Sequence, residues 1–119
     1  MGGRCIRRWV EEPLIDIDAI HNRQTIIGLL VKSSTLRRNL RKLLRAMGDL
    51  ERLSGRAGAQ QAGARDLVAI AEAINRLPII KKYLDHPIFK ATKYFKSIID
   101  IDKKLIELAA KINNEIIDN

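Results

Sequence analysis

Apolar residues recur at three- and four-residue steps along almost the whole chain, the period of an amphipathic helix, and no stretch reads as strand. The first segment, Gly3 to Glu12, sets Cys5, Ile6, Trp9 and Val10 on one stripe and ends at Pro13, since the residue ahead of a proline disfavours helix. A second helix begins near Asp16 or Asp18, either of which can cap it, and carries Ile17, Ile20, Ile27, Leu30 and Val31 on one face. Ser34 is placed to cap a third helix, which runs to Met47 and stops at Gly48. Asp49 then caps a short helix holding Leu50 and Leu53. The stretch from Gly55 to Gly63 holds Gly58 as well and is weakly patterned, so a loop is expected there.

Periodicity returns from Ala64 with Leu67, Ile70, Ala71, Ile74 and Leu77, and is expected to end at Pro78. Pro78 and Pro87 each suit the first turn of a new short helix, where a missing N–H costs nothing. A last helix is expected from near Asp100 to Asp118, with Ile101, Leu105, Leu108, Ile112 and Ile116 along it. At about 1.5 Å per residue it would span about 30 Å. The expected class is therefore all-α: an irregular helical bundle of about seven or eight helices joined by short loops.

Composition narrows this further. The chain has 119 residues, 46% hydrophobic and 30% charged, which suits one packed domain or a piece of one and excludes a disordered or fibrous chain. No apolar run approaches the ~18 residues of a membrane span. Charge interrupts the N-terminus before a signal-peptide core can form. The lone Cys5 cannot make an internal disulfide and fits a reducing compartment, so a cytoplasmic protein without membrane partners is expected. Twenty-two Lys plus Arg against fourteen Asp plus Glu leave a net charge of +8, a balance that attracts polyanions, nucleic acid first. From Lys81 onward every base is Lys, whereas the first half is mostly Arg, the better partner for fixed contacts.

The third helix carries the clearest surface signal. At about 100° per residue, Arg37, Arg38, Arg41, Lys42 and Arg45 fall within roughly 140° of arc, and Leu36, Leu40, Leu43, Leu44 and Met47 fall opposite them. No acidic residue balances the basic side. These five residues are the candidate site, a face for nucleic-acid phosphates or an acidic partner; the competing reading is a solvated face or one paired with a neighbouring element. No aromatic, Asn or Gln lies among the bases to read a nucleobase.

Other constellations carry less. His21 and His86 have no cysteine or acidic cluster at ligand spacing, so no metal is expected, and His86 is better read as a cap or loop residue before Pro87. Cys5 reads as a packed thiol and Trp9 as a core anchor rather than a stacking platform. Asp16 with Asp18, and Asp100 with Asp102, sit two apart where caps are needed and do not face each other on a helix. No Gly-Lys-Ser/Thr cradle occurs, and no catalytic set is found. Neither a catalytic residue nor a bound cofactor is expected.

Several segments, in order, resemble one family. Gly2-Gly3-Arg4, Arg7-Arg8-Trp9 and Glu12-Pro13-Leu14 look like the opening of the core (lever) domain of MutS-type DNA mismatch-repair ATPases. Asp18 to Ile26, with Arg23-Gln24 inside, is similar to the helix that follows. The most specific match is Gly48-Asp49-Leu50-Glu51-Arg52-Leu53, then Arg56, then Ala64-Arg65-Asp66-Leu67, with Leu77-Pro78 where the family places Leu-Pro. Gly63-Ala64 stands where Ser-Pro is common, which weakens that cap. The resemblance is close over residues 2–85 and rests on helical pattern alone beyond.

It implies that residues 1–119 are a single helical domain fragment, the stretch before a clamp insertion, coupling DNA clamp and mismatch recognition to an ATPase domain. The parent would bind mismatched DNA and ATP with Mg, as a homodimer, through parts outside this chain; the fragment would hold no cofactor and meet other domains of the same chain. Cut from those partners, it should expose an apolar stripe along Ile101, Leu105, Leu108 and Ile112. Two other readings stay open: a self-standing basic helical protein that binds nucleic acid, and a fragment of a MutS paralogue acting outside mismatch repair.

Overall fold

A computed structural model describes residues 2–116. The order is α1 (Gly3–Glu11), α2 (Ile17–Lys32), α3 (Ser34–Ala46), α4 (Leu50–Gly58), α5 (Ala64–Tyr83), the single turn α6 (Pro87–Lys90), a 3-10 turn at Lys93–Phe95, the single turn α7 (Lys96–Ile99) and α8 (Lys103–Glu115). No strand occurs among the described residues, so the all-α class holds, with six helices of nine residues or more.

Helix α5 is the spine. Its twenty residues span about 30 Å at the α-helical rise, and α3, α4, α7 and α8 all pack on it. Its two flanks organise two apolar clusters. On one, Ala73, Ile80 and the following Leu84 bury against Ile26 of α2, Met47 and Phe89, with Leu36, Leu40 and Leu43 of α3 packed around them. On the other, Ala71 and Ile74 meet Ala109 and Ile112 of α8. Leu77 touches both clusters and joins them. Alanines at 71 and 109, both fully buried, let the α5 and α8 backbones come close.

Local chemistry sets the helix ends. The Asp16 carboxylate accepts from the Ala19 N–H at 2.8 Å, which selects Asp16 over Asp18 as the cap of α2. Gly48 closes α3 at φ +66°, a left-handed conformation that suits glycine. Asp49 Oδ1 accepts from the Arg52 N–H at 3.0 Å and starts α4. His86 Nδ1 accepts from Ile88 N–H ahead of Pro87, the first residue of α6, as the sequence suggests.

Four boundaries differ from expectation. Pro78 does not start a helix; α5 runs through it, because losing one hydrogen bond to Ile74 is outweighed by buried Ile74 and Ile80 on either side. The cap of α3 is Ser33, whose Oγ accepts from Leu36 N–H at 3.4 Å, and Ser34 is the first helical residue. Helix α4 continues through Gly55 to Gly58, so the expected loop shrinks to a short link, closed where Gln60 turns at φ +58°. The last helix starts only after Asp102, which accepts from Lys104 N–H at 2.9 Å, while Asp100 closes α7. The expected end at Asp118 lies outside the described residues.

Two exposed carboxylates give the fold an acid dependence. The Arg52 N–H and then the Arg4 guanidinium hold Asp49 below the ordinary aspartate value of 3.8, and the Lys90 ammonium does the same for Asp85. A depressed folded-state value means that the stabilisation is complete above the unfolded value and is lost as pH falls through the folded one. The melting temperature should therefore fall as pH drops below the ordinary aspartate range. Asp49→Asn, which still caps a helix but cannot ionise, should flatten that decline when melts are compared between neutral and strongly acidic buffer. An unchanged acid limb would remove Asp49 from this account.

Candidate functional site

Helix α3 is split as its pattern demands. Leu36, Leu40 and Leu43 pack toward the first cluster while Leu44 stays exposed, and Arg37, Arg38, Arg41, Lys42 and Arg45 all lie exposed along the other side, lining one shallow depression. No acidic side chain among the described residues pairs with any of the five. That observation goes against the reading in which a neighbouring element neutralises the face.

The five are not equivalent. Arg37 turns back, and its Nη1 donates to the carbonyls of Leu30 and Val31 at 2.7 and 2.8 Å. These are among the last carbonyls of α2, which have no partner within their own helix, so a cation there both satisfies and neutralises them. Arg37 is a rivet between α2 and α3. The signal was available in the sequence, as a base in the first turn of a helix that directly follows another helix's last turn. Arg38, Arg41, Lys42 and Arg45 remain turned outward.

The first and most specific motifs of the family resemblance meet: Gly2, Gly3, Arg4 and Arg8 of the one and Gly48, Asp49, Leu50 and Glu51 of the other line a single crevice of about 650 Å³. The motif residues make joints between helices. Arg4 Nη2 donates to Asp49 Oδ1 at 2.6 Å and its Nε lies 3.4 Å from Glu51 Oε2, tying α1 to the start of α4. Arg56 Nε donates to Asp66 Oδ2 at 3.0 Å and its Nη2 to the Gln61 carbonyl at 3.0 Å, bracing the link between α4 and α5. Asp66 also accepts from the Gly63 N–H at 3.3 Å. This is half of a capping box, since Gly63 has no side chain to return the bond. Exposed pairs of this kind contribute little each, and their value is in fixing geometry.

Trp9 corrects the expectation of a core anchor. It is half-buried, and the Arg23 guanidinium of α2 stacks on its ring at 3.6 Å, with the Tyr94 ring centroid 5.6 Å from the same guanidinium carbon. In the sequence Arg23 stands only in the Arg23-Gln24 match, with no role attached; its stacking role needs an aromatic partner, which another helix supplies. The stripe expected to be exposed on α8 splits in two. Ile112 is buried on α5 and Ile101 is half-buried, while Leu105 and Leu108 stay 40% and 45% exposed. They open into an apolar cleft of about 750 Å³ between α4, α5 and α8, walled by Leu50, Leu67, Ile70 and Leu77.

The residues present do not fit a nucleotide. Gly55 and Gly58 lie inside α4, and no lysine with a following hydroxyl stands beside a glycine turn. No group of three His, Cys, Asp or Glu suited to a metal ion occurs among the described residues, and no helix among them is long and apolar enough to cross a membrane.

The motif order agrees with comparison to known proteins. The family model described as MutS domain III matches residues 1–119. The chain belongs to the MutS domain III family. It is similar to the DNA mismatch repair protein MutS of Prochlorococcus marinus strain NATL2A, 80% identical over 119 residues, which are all of this chain and 13% of that protein. The same protein of strain NATL1A is 78% identical over the same share, and that of strain MIT 9303 is 50% identical over it. The chain thus spans about an eighth of the length of these relatives. No solved structure matches it.

Proposed function

We propose that residues 1–119 form one helical domain fragment that acts as a mechanical coupling piece, the lever segment preceding a clamp insertion, in a longer mismatch-repair ATPase. The observation that carries this reading is the use of the family's motif residues, Arg4 with Asp49 and Arg56 with Asp66, as ties between helices. A 30 Å spine with helices fixed along it moves as a body and passes on a displacement instead of absorbing it. The parent binds mismatched DNA and ATP with Mg through its other parts, acts as a homodimer in the cytoplasm, and uses this segment to relate the two events. The relatives' shared name, DNA mismatch repair protein, supports repair over a paralogue outside it, and their much greater length weighs against a self-standing nucleic-acid binder.

The test is binding by the 119-residue chain itself. It should show no measurable ATP affinity, and its affinity for a duplex with a single mismatch should equal that for the matched duplex. A micromolar, mismatch-selective affinity at physiological salt overturns the reading.

A further inference from the structure

We infer that the outward cations of α3, namely Arg38, Arg41, Lys42 and Arg45, form a sequence-independent contact surface for the phosphate backbone of duplex DNA. The inference rests on the mismatch-repair reading and adds a surface to it. Four cations point outward from one helix, none is paired with an acidic group among the described residues, and α3 contains no acidic residue at all. Clustering like charges on one face opposes folding unless something negative meets them, and the Arg37 rivet holds the face in a fixed direction.

The dimensions suit a strand. From Arg38 to Arg45 the helix advances about 10 Å. Phosphates of one strand rise about 3.4 Å each along the duplex axis while winding around it, so a ridge of this length reaches about two of them, and the remaining cations meet those beside. The surface also continues. Arg45 borders the crevice at the start of α1, where Arg4 pairs with the Asp49 and Glu51 carboxylates and Arg8 has no acidic partner among the described residues.

Chemistry separates DNA from an acidic protein. A protein interface is anchored by a few large apolar or aromatic side chains, and the basic arc of α3 has none. The one amide of α3, Asn39, is half-buried and falls outside the basic arc, which leaves phosphate contact as the recognition available to the arc. Three of the four cations are arginines, whose forked donors match phosphate oxygens.

The experiment uses the full-length protein carrying this segment, with Arg38→Gln, Arg41→Gln and Arg45→Gln combined, and matched and mismatched duplexes titrated from low to high salt. Gln keeps a helix propensity close to that of Arg, so α3 should form. Each lost phosphate contact should reduce the steepness of the salt dependence by about 0.9 and lower affinity on the order of fivefold at 0.15 M salt, so on the order of a hundredfold for three. Both duplexes should lose affinity alike, leaving the mismatch preference unchanged. The corresponding triple Lys variant should recover most of the loss, because charge remains.

An unchanged salt slope overturns the inference and assigns the face to solvent or to an acidic protein. A Lys variant as weak as the Gln variant overturns it as well, since a structural fault would then explain the loss. If the triple variant does not fold, Lys42→Gln and Arg41→Gln alone must each remove about 0.9 from the slope. Should the parent show no mismatch preference and no ATP binding, the coupling reading itself fails; a normal parent with an unmoved slope defeats only the present inference.

Discussion

Replacing Phe89 with alanine should cost about 3–5 kcal/mol of folding stability, the range for removing a large aromatic from a tight core. Phe89 sits on a single helical turn, which cannot hold its own shape without tertiary contacts. Its ring is fully buried, meets Phe95 edge-on at a centroid distance of 5.1 Å, and lies in the cluster with Ile26, Met47, Ile80 and Leu84. Truncation removes apolar burial, leaves a cavity, and deletes an aromatic pair worth about 0.5–1.5 kcal/mol beyond its area. A domain of this size has about 5–15 kcal/mol in total, so most of the margin should go. Urea denaturation checks this by a lower midpoint at unchanged slope. A loss below about 1 kcal/mol would mean that the segment from α6 to α7 is not held on α5 by this ring.

The second large effect runs in the opposite sense of size. Ala109→Leu should destabilise by about 1–3 kcal/mol, because added methylenes in a filled seam force helices apart. Ala109 and Ala71 are both fully buried where α8 meets α5, so a longer side chain there is expected to push the two helices apart. Leu108→Ala, one residue away, is the instructive contrast. Leu108 is 45% exposed toward the apolar cleft, so shortening it in the isolated chain should cost far less than lengthening its neighbour. Parallel urea melts of the two variants decide it. Equal losses would show that the helices do not approach as closely as described.

The helical class, the apolar faces and most caps were legible because they depend on neighbours within a turn. Asp49, Gly48, His86 and Pro87 each act within three residues of themselves, and each does what local chemistry requires. The misplaced boundaries all involve partners farther away. Pro78 reads as a breaker until Ile74 and Ile80 are known to be buried, and the glycines of α4 read as loop until Arg56 is seen reaching Gln61 and Asp66. Trp9 was read as a core residue because its stripe is apolar, whereas Ile6 and Val10 beside it are 60% and 75% exposed. On α3 the exposure of all five bases followed from periodicity, but the division between Arg37 and the other four did not. It is legible only at the junction, where a base in the first turn of α3 follows directly on the last turn of α2.

The open cleft beside α8 and the ridge of bases on α3 respond oppositely to ionic strength. Dissolved electrolyte shortens the reach of exposed cations, to about 10 Å at 0.1 M, while strongly hydrated anions such as sulfate drive oily surfaces together. Dilute buffer therefore favours whatever adheres through charge, and concentrated sulfate favours whatever seals the gap between α4, α5 and α8. Choice of electrolyte alone would govern which side of this polypeptide is the sticky one.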